Sequence, residues 1–263
     1  MWKLKNDDSR PIFTAEKQVK SAHRGHSGTP LPEKTAIVFF MGRGLDLMRD
    51  MHPVTEVDEG FPCFLNRRAL WTLNDLPACY LYGGAGAPMA ADTVETLAAL
   101  GVKNIVSVGL CGGFSDKVHA GEIIVPEKAF VEEGTSLHYY DGIVSASPDE
   151  EYLKAVSGAL EKRTHPIVSM DAPYRQTFKK EAEWRRLGAV GVEMETSAVF
   201  SVSKYLGLRA ISLLMVSDIH PIEEGAPEWS WRMTNELRRD LVQAGFEAAR
   251  LITEIGKRRD SLK

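Results

Sequence analysis

Apolar residues fall into short unbroken runs that alternate with stretches where they recur every three or four positions. Thr35–Phe40 is a continuous apolar run, as a strand buried on both faces requires. Pro77–Tyr82 is a second such run, ending in Gly83-Gly84-Ala85-Gly86-Ala87-Pro88. From Met89 to Leu100, Val94, Leu97 and Ala98 share one helical stripe, and Gly101 supplies the stop. Asn104–Gly109 returns as a strand, so this stretch predicts a β-α-β unit with a parallel crossover.

Further strands are expected at Gly121–Pro126 and Pro166–Met170, with polar loop chemistry from Pro126 to Tyr140 and a helix over 148–163. Val190 to Met194 leads into a helix from Thr196 to Leu206, closed by Gly207. Leu208–Ser217 reads as a long buried strand that stops at Asp218, and a final helix is expected from Ser230 to Ile255. Together these predict a three-layer α/β domain with a mixed, largely parallel central sheet over residues 35–263. Residues 1–34 are expected to form an irregular N-terminal arm.

Composition narrows the picture. The chain has 263 residues, 44% of them hydrophobic, enough for one large core. A net charge of −4 with scattered basic residues leaves no electrostatic footprint for nucleic acid. Three cysteines without C-x-x-C spacing fit a reduced, cytoplasmic setting. No run reaches the length of a membrane-spanning helix, and the first eight residues lack the apolar core of a secretory signal. His23 and His26 lie in a polar, Gly-rich stretch that reads as a loop, so no metal site is expected.

Candidate chemistry gathers where strands end, the place where open α/β sheets bind ligands. Glu193-Met194-Glu195 sets two carboxylates in an apolar segment, and buried acids demand donors. The two hydroxyls of a ribose are such donors, and Met194 offers a soft contact for a sugar face. An alternative reading makes Glu195 a favourable charge at a helix start, with Glu193 solvated. Gly84-Ala85-Gly86 resembles the start of a dinucleotide fingerprint, but Met89 fills the third glycine slot, which argues against nicotinamide. Such a turn still offers backbone N–H groups to an anion. Asp218, preceded by Ser217, reads either as a helix cap or as a proton donor facing a pocket.

In order along the chain stand Gly109-Leu-Cys-Gly-Gly-Phe, Gly121-Glu-Ile-Ile-Val-Pro, Glu133-Gly-Thr-Ser-Leu-His-Tyr, Val192-Glu-Met-Glu-Thr-Ser-Ala and Val216-Ser-Asp218. This series, within about residues 35–255, resembles the nucleoside phosphorylase family of bacterial purine nucleoside and uridine phosphorylases and hydrolytic nucleosidases. The resemblance implies ribose binding at Glu193, Met194 and Glu195, and a purine-side acid at Asp218. Its helper arginine maps thirteen residues later, where Trp231 stands, so Arg232 is the candidate. Cys111, Gly112, Tyr174, Arg175 and Ser217 map to the base side. Gly42, Arg43, Gly84 and Gly86 map to the phosphate side, with inorganic phosphate as co-substrate and no other cofactor.

Departures from the family pattern concern phosphate. Ser107 stands where the family has an arginine, and Leu110 where it has Ser or Thr. Met41-Gly-Arg-Gly-Leu-Asp46 replaces the first loop, and Phe64 falls near the place of a partner-subunit arginine, with Arg67 and Arg68 just beyond. Phosphorolysis of a ribonucleoside, with a purine leaning, is the leading expectation. Hydrolysis by water is the alternative, and non-catalytic nucleoside binding the third. The resemblance also implies a homodimer or a hexamer built from dimers, with Phe13, His23 and His26 of the arm as candidates to reach a partner's pocket.

Overall fold

The computed structural model describes residues 9–21, 26–65, 68–226, 230–231 and 233–260. In chain order its elements are α1 (Ala15–Lys20), β1 (Thr35–Phe40), α2 (Gly44–Met51), β2 (Val54–Glu56), β3 (Leu70–Leu73), β4 (Ala78–Tyr82), α3 (Ala87–Ala99) and β5 (Asn104–Gly113). They continue with β6 (Ile123–Glu132), β7 (Ser145–Ala146), α4 (Glu150–Ala159), β8 (Thr164–Met170), α5 (Phe178–Arg186), β9 (Gly191–Glu193), α6 (Thr196–Tyr205), β10 (Arg209–Ile219), β11 (Ser230–Trp231) and α7 (Asn235–Asp260).

All eleven strands join one mixed sheet. Its long ladders are parallel: β4 on β1, β1 on β5, β5 on β10, and β6 on β8. The antiparallel pairings span only two or three residue pairs each. Pairing runs from β5 through β10, β6, β8 and β9 back to β5, so five strands close a ring while β1, β4, β3 and β2 extend it as an open wing.

Two cores lie on opposite faces of the sheet. Val94 and Leu97 of α3 and Val199 and Phe200 of α6 belong to one, and Met48 of α2, Tyr152 of α4 and Leu241 of α7 to the other. Unbroken apolar runs in β1 and β4 follow from this, because each strand is covered on both sides. A smaller cluster joins Trp184 of α5 to Phe114 and Val168 and seats α5 near the ring.

Several boundaries depart from the sequence pattern. The arm is not wholly irregular: Ala15–Lys20 is a helix, capped where the Thr14 hydroxyl accepts from the Lys17 N–H. Strand β6 runs on to Glu132 where a loop was expected, because its exposed Glu127 and Lys128 sit at a register shift and the strand resumes beyond them. The last helix starts at Asn235, later than expected, since Ser230–Trp231 pairs with the end of β10. Helix α5 was not foreseen: it is mostly charged, and Glu181 and Trp184 are its buried residues.

Candidate active site

Strand β5 organises the site. Its end, Cys111–Gly113, lies between β9 and β10, with Gly112 opposite both Val192 and Asp218. The register of β10 against β5 shifts at Ser217, which is a bulge. A bulge moves side-chain alternation by one, so Asp218 lies over Gly112 rather than following Val216 into the core. A Cβ on Gly112 would stand 2.3 Å from His220 Nε2 and 3.4 Å from Asp218 Oδ2, so a side chain there would displace both groups.

On the β9 side the two glutamates have separate tasks. Glu193 is buried and its Oε2 accepts from the Glu195 N–H at 2.8 Å, the Thr196 N–H at 2.8 Å and the Thr196 hydroxyl at 2.9 Å. The Ser169 hydroxyl donates to its other oxygen. Glu193 is thus the side chain that caps α6, the task the sequence pattern allowed for Glu195. Glu195 holds the N-cap position but makes no side-chain cap; its Oε1 accepts from the Gly86 N–H at 2.6 Å. That bond ties the acidic segment to the Gly84–Gly86 turn, where both glycines have positive φ.

Burial pushes Glu193 up, against the pull of its four donors. Burial and the neighbouring Glu193 charge push Glu195 up to about 8, opposed by the Gly86 N–H. Four donors facing Glu193 demand an acceptor-only carboxylate, so the proton of the pair belongs on Glu195. Met194 is half-buried between them. Cys111 lies within the fields of both Glu193 and Asp218, and burial and those charges hold its thiol neutral.

Asp218 is buried and receives the Ser217 hydroxyl on one oxygen. Its other oxygen stands 3.1 Å from His220 Nε2, and His220 Nδ1 stands 2.8 Å from Glu181 Oε1 on α5. Gln176 donates to the same Glu181 oxygen at 2.6 Å. Burial disfavours the charged imidazole, but the hydrogen bonds to Asp218 and Glu181 outweigh it and raise His220 to about 9. Both ring nitrogens face carboxylates, so both carry protons at neutral pH. The sequence reading missed His220 and Glu181; His220, two residues past Asp218, was the available signal, and no local pattern leads to Glu181.

Elsewhere the expected residues are dispersed. Tyr174 is 99% exposed and Arg175 is exposed on the same turn of 3-10 helix, so neither stacks within this chain. Gly42 and Arg43 are exposed; Arg43 has φ 67° at the start of α2 and donates to Asn235 Oδ1 at 3.0 Å. Ser107 is buried and accepts from the Ser212 hydroxyl at 3.4 Å, and Leu110 packs against the α7-side core.

Arg68 Nη1 donates to the Tyr82 carbonyl and to the Thr93 hydroxyl, each at 2.7 Å, at the end of β4 that feeds the glycine turn. Its buried Nε and Nη2 have no partner among the described residues. Arg232, Arg67 and His23 lie outside the described residues. His26 does not reach outward: it is buried, accepts from the Gly28 N–H at 2.9 Å and stands 3.4 Å from Glu59.

The chain is similar to several known proteins. Over 147 residues, 54% of its length, the chain is 34% identical to a guanosine phosphorylase of Halorubrum lacusprofundi, of which the match covers 60%. It is 32% identical over 130 residues to a DeoD-type purine nucleoside phosphorylase of Clostridium beijerinckii, covering 47% of this chain and 55% of the relative. The chain therefore spans about 55–60% of the length of these relatives. Among solved structures, the AMP nucleosidase of Bacteroides thetaiotaomicron superposes with a TM-score of 0.71 at 21% identity, over 92% of this chain and 99% of that one. The family model described as the phosphorylase superfamily matches residues 34–254, and the chain belongs to that family.

Proposed function

We propose that the chain cleaves the N-glycosidic bond of a purine ribonucleoside and passes the ribose to inorganic phosphate, releasing ribose 1-phosphate and the free base. The reading is carried by the pairing of two acids on the strands either side of β5: Glu195 held to the glycine turn and Asp218 held over Gly112. Glu195 accepts from the backbone at Gly86 and Met194 and keeps acceptor capacity for the 2′- and 3′-hydroxyls. As the C–N bond breaks, positive charge grows on the sugar, and a ribose-bound carboxylate stabilises it. The departing purine needs a proton at N7, and Asp218 is the donor.

For phosphate, the supporting observation is Arg68, whose two unmatched guanidinium nitrogens sit at the strand end beside Gly83–Gly86. A dianion supplies the acceptors they lack. Ser107 and Leu110 favour a second reading, in which water is the nucleophile, since both are neutral and engaged within the protein. Incubating inosine, guanosine and adenosine with and without phosphate separates the two. Cleavage should require phosphate and yield ribose 1-phosphate; equal rates in phosphate-free buffer, with free ribose as product, would establish hydrolysis.

Assembly into a homodimer or a hexamer built from dimers belongs to the same reading. Ile12, Phe13, Phe64 and Leu65 are exposed and apolar, and Phe13 packs on Phe64 in a tilted pair with ring centroids 5.1 Å apart, which supports a buried face there in an oligomer. Sedimentation at micromolar concentration should give at least a dimer, and a monomer would refute it.

A further inference from the structure

We propose that His220 is the positioning residue of the acid: held by Glu181, it fixes the Asp218 carboxyl over Gly112 and supplies the proton that Asp218 passes to the base. This rests on the reading of Asp218 as proton donor to a purine. The geometry is a line of three groups from three segments. Glu181 on α5 accepts from His220 Nδ1, and His220 Nε2 donates to Asp218 Oδ2 at the end of β10. Glu181, Asp218 and Ser217 are buried, so the line runs through protein rather than over its surface.

Among the described residues, few charges face the ring. Asp218 approaches from β10 and Glu181 from α5, with Arg185 3.7 Å from Glu181 on the same helix. Gln176 lies 3.0 Å from Nδ1 and donates to Glu181, while β5 presents only the uncharged Gly112. Two carboxylates facing one imidazole keep it doubly protonated, which agrees with its rise to about 9.

The proton balance is simple. Before reaction the proton of the pair sits on His220 and Asp218 is a carboxylate. As the glycosidic electrons move onto the base, the Nε2 proton passes to Asp218 and from it to purine N7, leaving a neutral ring that still donates Nδ1–H to Glu181. Solvent restores the Nε2 proton through the cleft lined by Gln176, Thr177, His220 and Pro221.

His220→Asn and Glu181→Gln test this with two substrates and one spectroscopic readout. On inosine, His220→Asn should lower kcat by about tenfold or more, less than the roughly 100-fold of an outright lost acid because Asp218 remains. KM should change less than twofold. On 7-methylguanosine, whose N7 already carries charge, both variants should be slowed far less. The alkaline limb of the wild-type inosine profile, expected near pH 9, should move in both variants. Equal slowing of both substrates, or an unmoved alkaline limb, would overturn the proposal.

NMR titration of the His220 ring separates this failure from failure of the cleavage reading. The ring should titrate well above 6.5 in the wild type and lower in Asp218→Asn and Glu181→Gln. An ordinary midpoint near 6.5 in the wild type overturns the linkage whatever nucleoside the protein cleaves. A raised midpoint in a protein that cleaves no nucleoside would overturn the catalytic role instead.

Discussion

At the scale of single residues, Glu195 and Gly112 carry the sharpest consequences. The Glu195 carboxyl is half-buried, bonded to the Gly86 N–H and raised to about 8. Ribose hydroxyls are donors and favour the ionised form, so nucleoside binding should release a proton below pH 8. Affinity should then rise between pH 6 and 8, and calorimetry in buffers of different ionisation enthalpy counts the protons; zero release at pH 7 would remove the ribose role. Glu195→Gln should fold normally and lose about 1.5–3 kcal/mol of transition-state stabilisation, the range for a hydrogen bond to a charged group. Unchanged kcat/KM would place the sugar elsewhere. Gly112→Ala acts differently, since its Cβ meets His220 Nε2 at 2.3 Å. Overpacking of this kind costs about 1–3 kcal/mol, and it should separate His220 from Asp218. Denaturant melts and the His220 NMR midpoint would report the two effects together; a fully stable variant with an unshifted midpoint contradicts the close approach.

At the scale of elements, Glu193 decides whether α6 begins where it does. Its carboxylate gathers the Glu195 and Thr196 N–H groups and the Thr196 and Ser169 hydroxyls, so it joins β8, β9 and α6. Glu193→Gln replaces one acceptor with a donor that faces other donors, and should cost about 1.5–3 kcal/mol of stability. Hydrogen exchange at the Glu195 and Thr196 amides should accelerate while β1 and β4 stay protected. Loss of activity with no change in exchange would instead make Glu193 a substrate ligand. These elements were largely legible beforehand, because strands covered on both faces must be apolar throughout, as Thr35–Phe40 is. What was not legible has a common cause. The bulge at Ser217 is a matter of register between β10 and β5, invisible to either strand alone. Helix α5 holds its place through Trp184 with little apolar stripe, so neither the helix nor its Glu181 stood out. The shared glutamate pair was visible as chemistry, but which member caps a helix and which reaches the glycine turn depends on contacts across 109 residues of sequence.

For the whole molecule, the two raised groups predict how stability varies with pH. His220 rises from 6.5 to about 9 in the fold, through its bonds to Asp218 and Glu181 and against burial. Glu195 rises from 4.5 to about 8, through burial and the Glu193 charge. In both cases the folded state binds the proton more tightly than the unfolded chain, so stability falls as pH rises through the interval. The Glu195 contribution is complete below about 4.5 and lost by about 8; that of His220 is complete below about 6.5 and lost by about 9. Each pKa unit corresponds to about 1.4 kcal/mol, so His220 alone amounts to about 3 kcal/mol between those limits. Asp149, lowered by the Arg209 guanidinium and the Tyr152 N–H against burial, works in the opposite sense, but its interval lies in acid below the carboxylate range. Urea unfolding should therefore give a clearly smaller free energy at pH 9 than at pH 6. In Glu195→Gln the decline should vanish below about pH 6.5 and persist above it; in His220→Asn it should flatten above pH 8. A wild-type curve that is level from pH 6 to 9 would mean that neither group holds its proton in the fold, and would undo the charge assignment on both sides of β5.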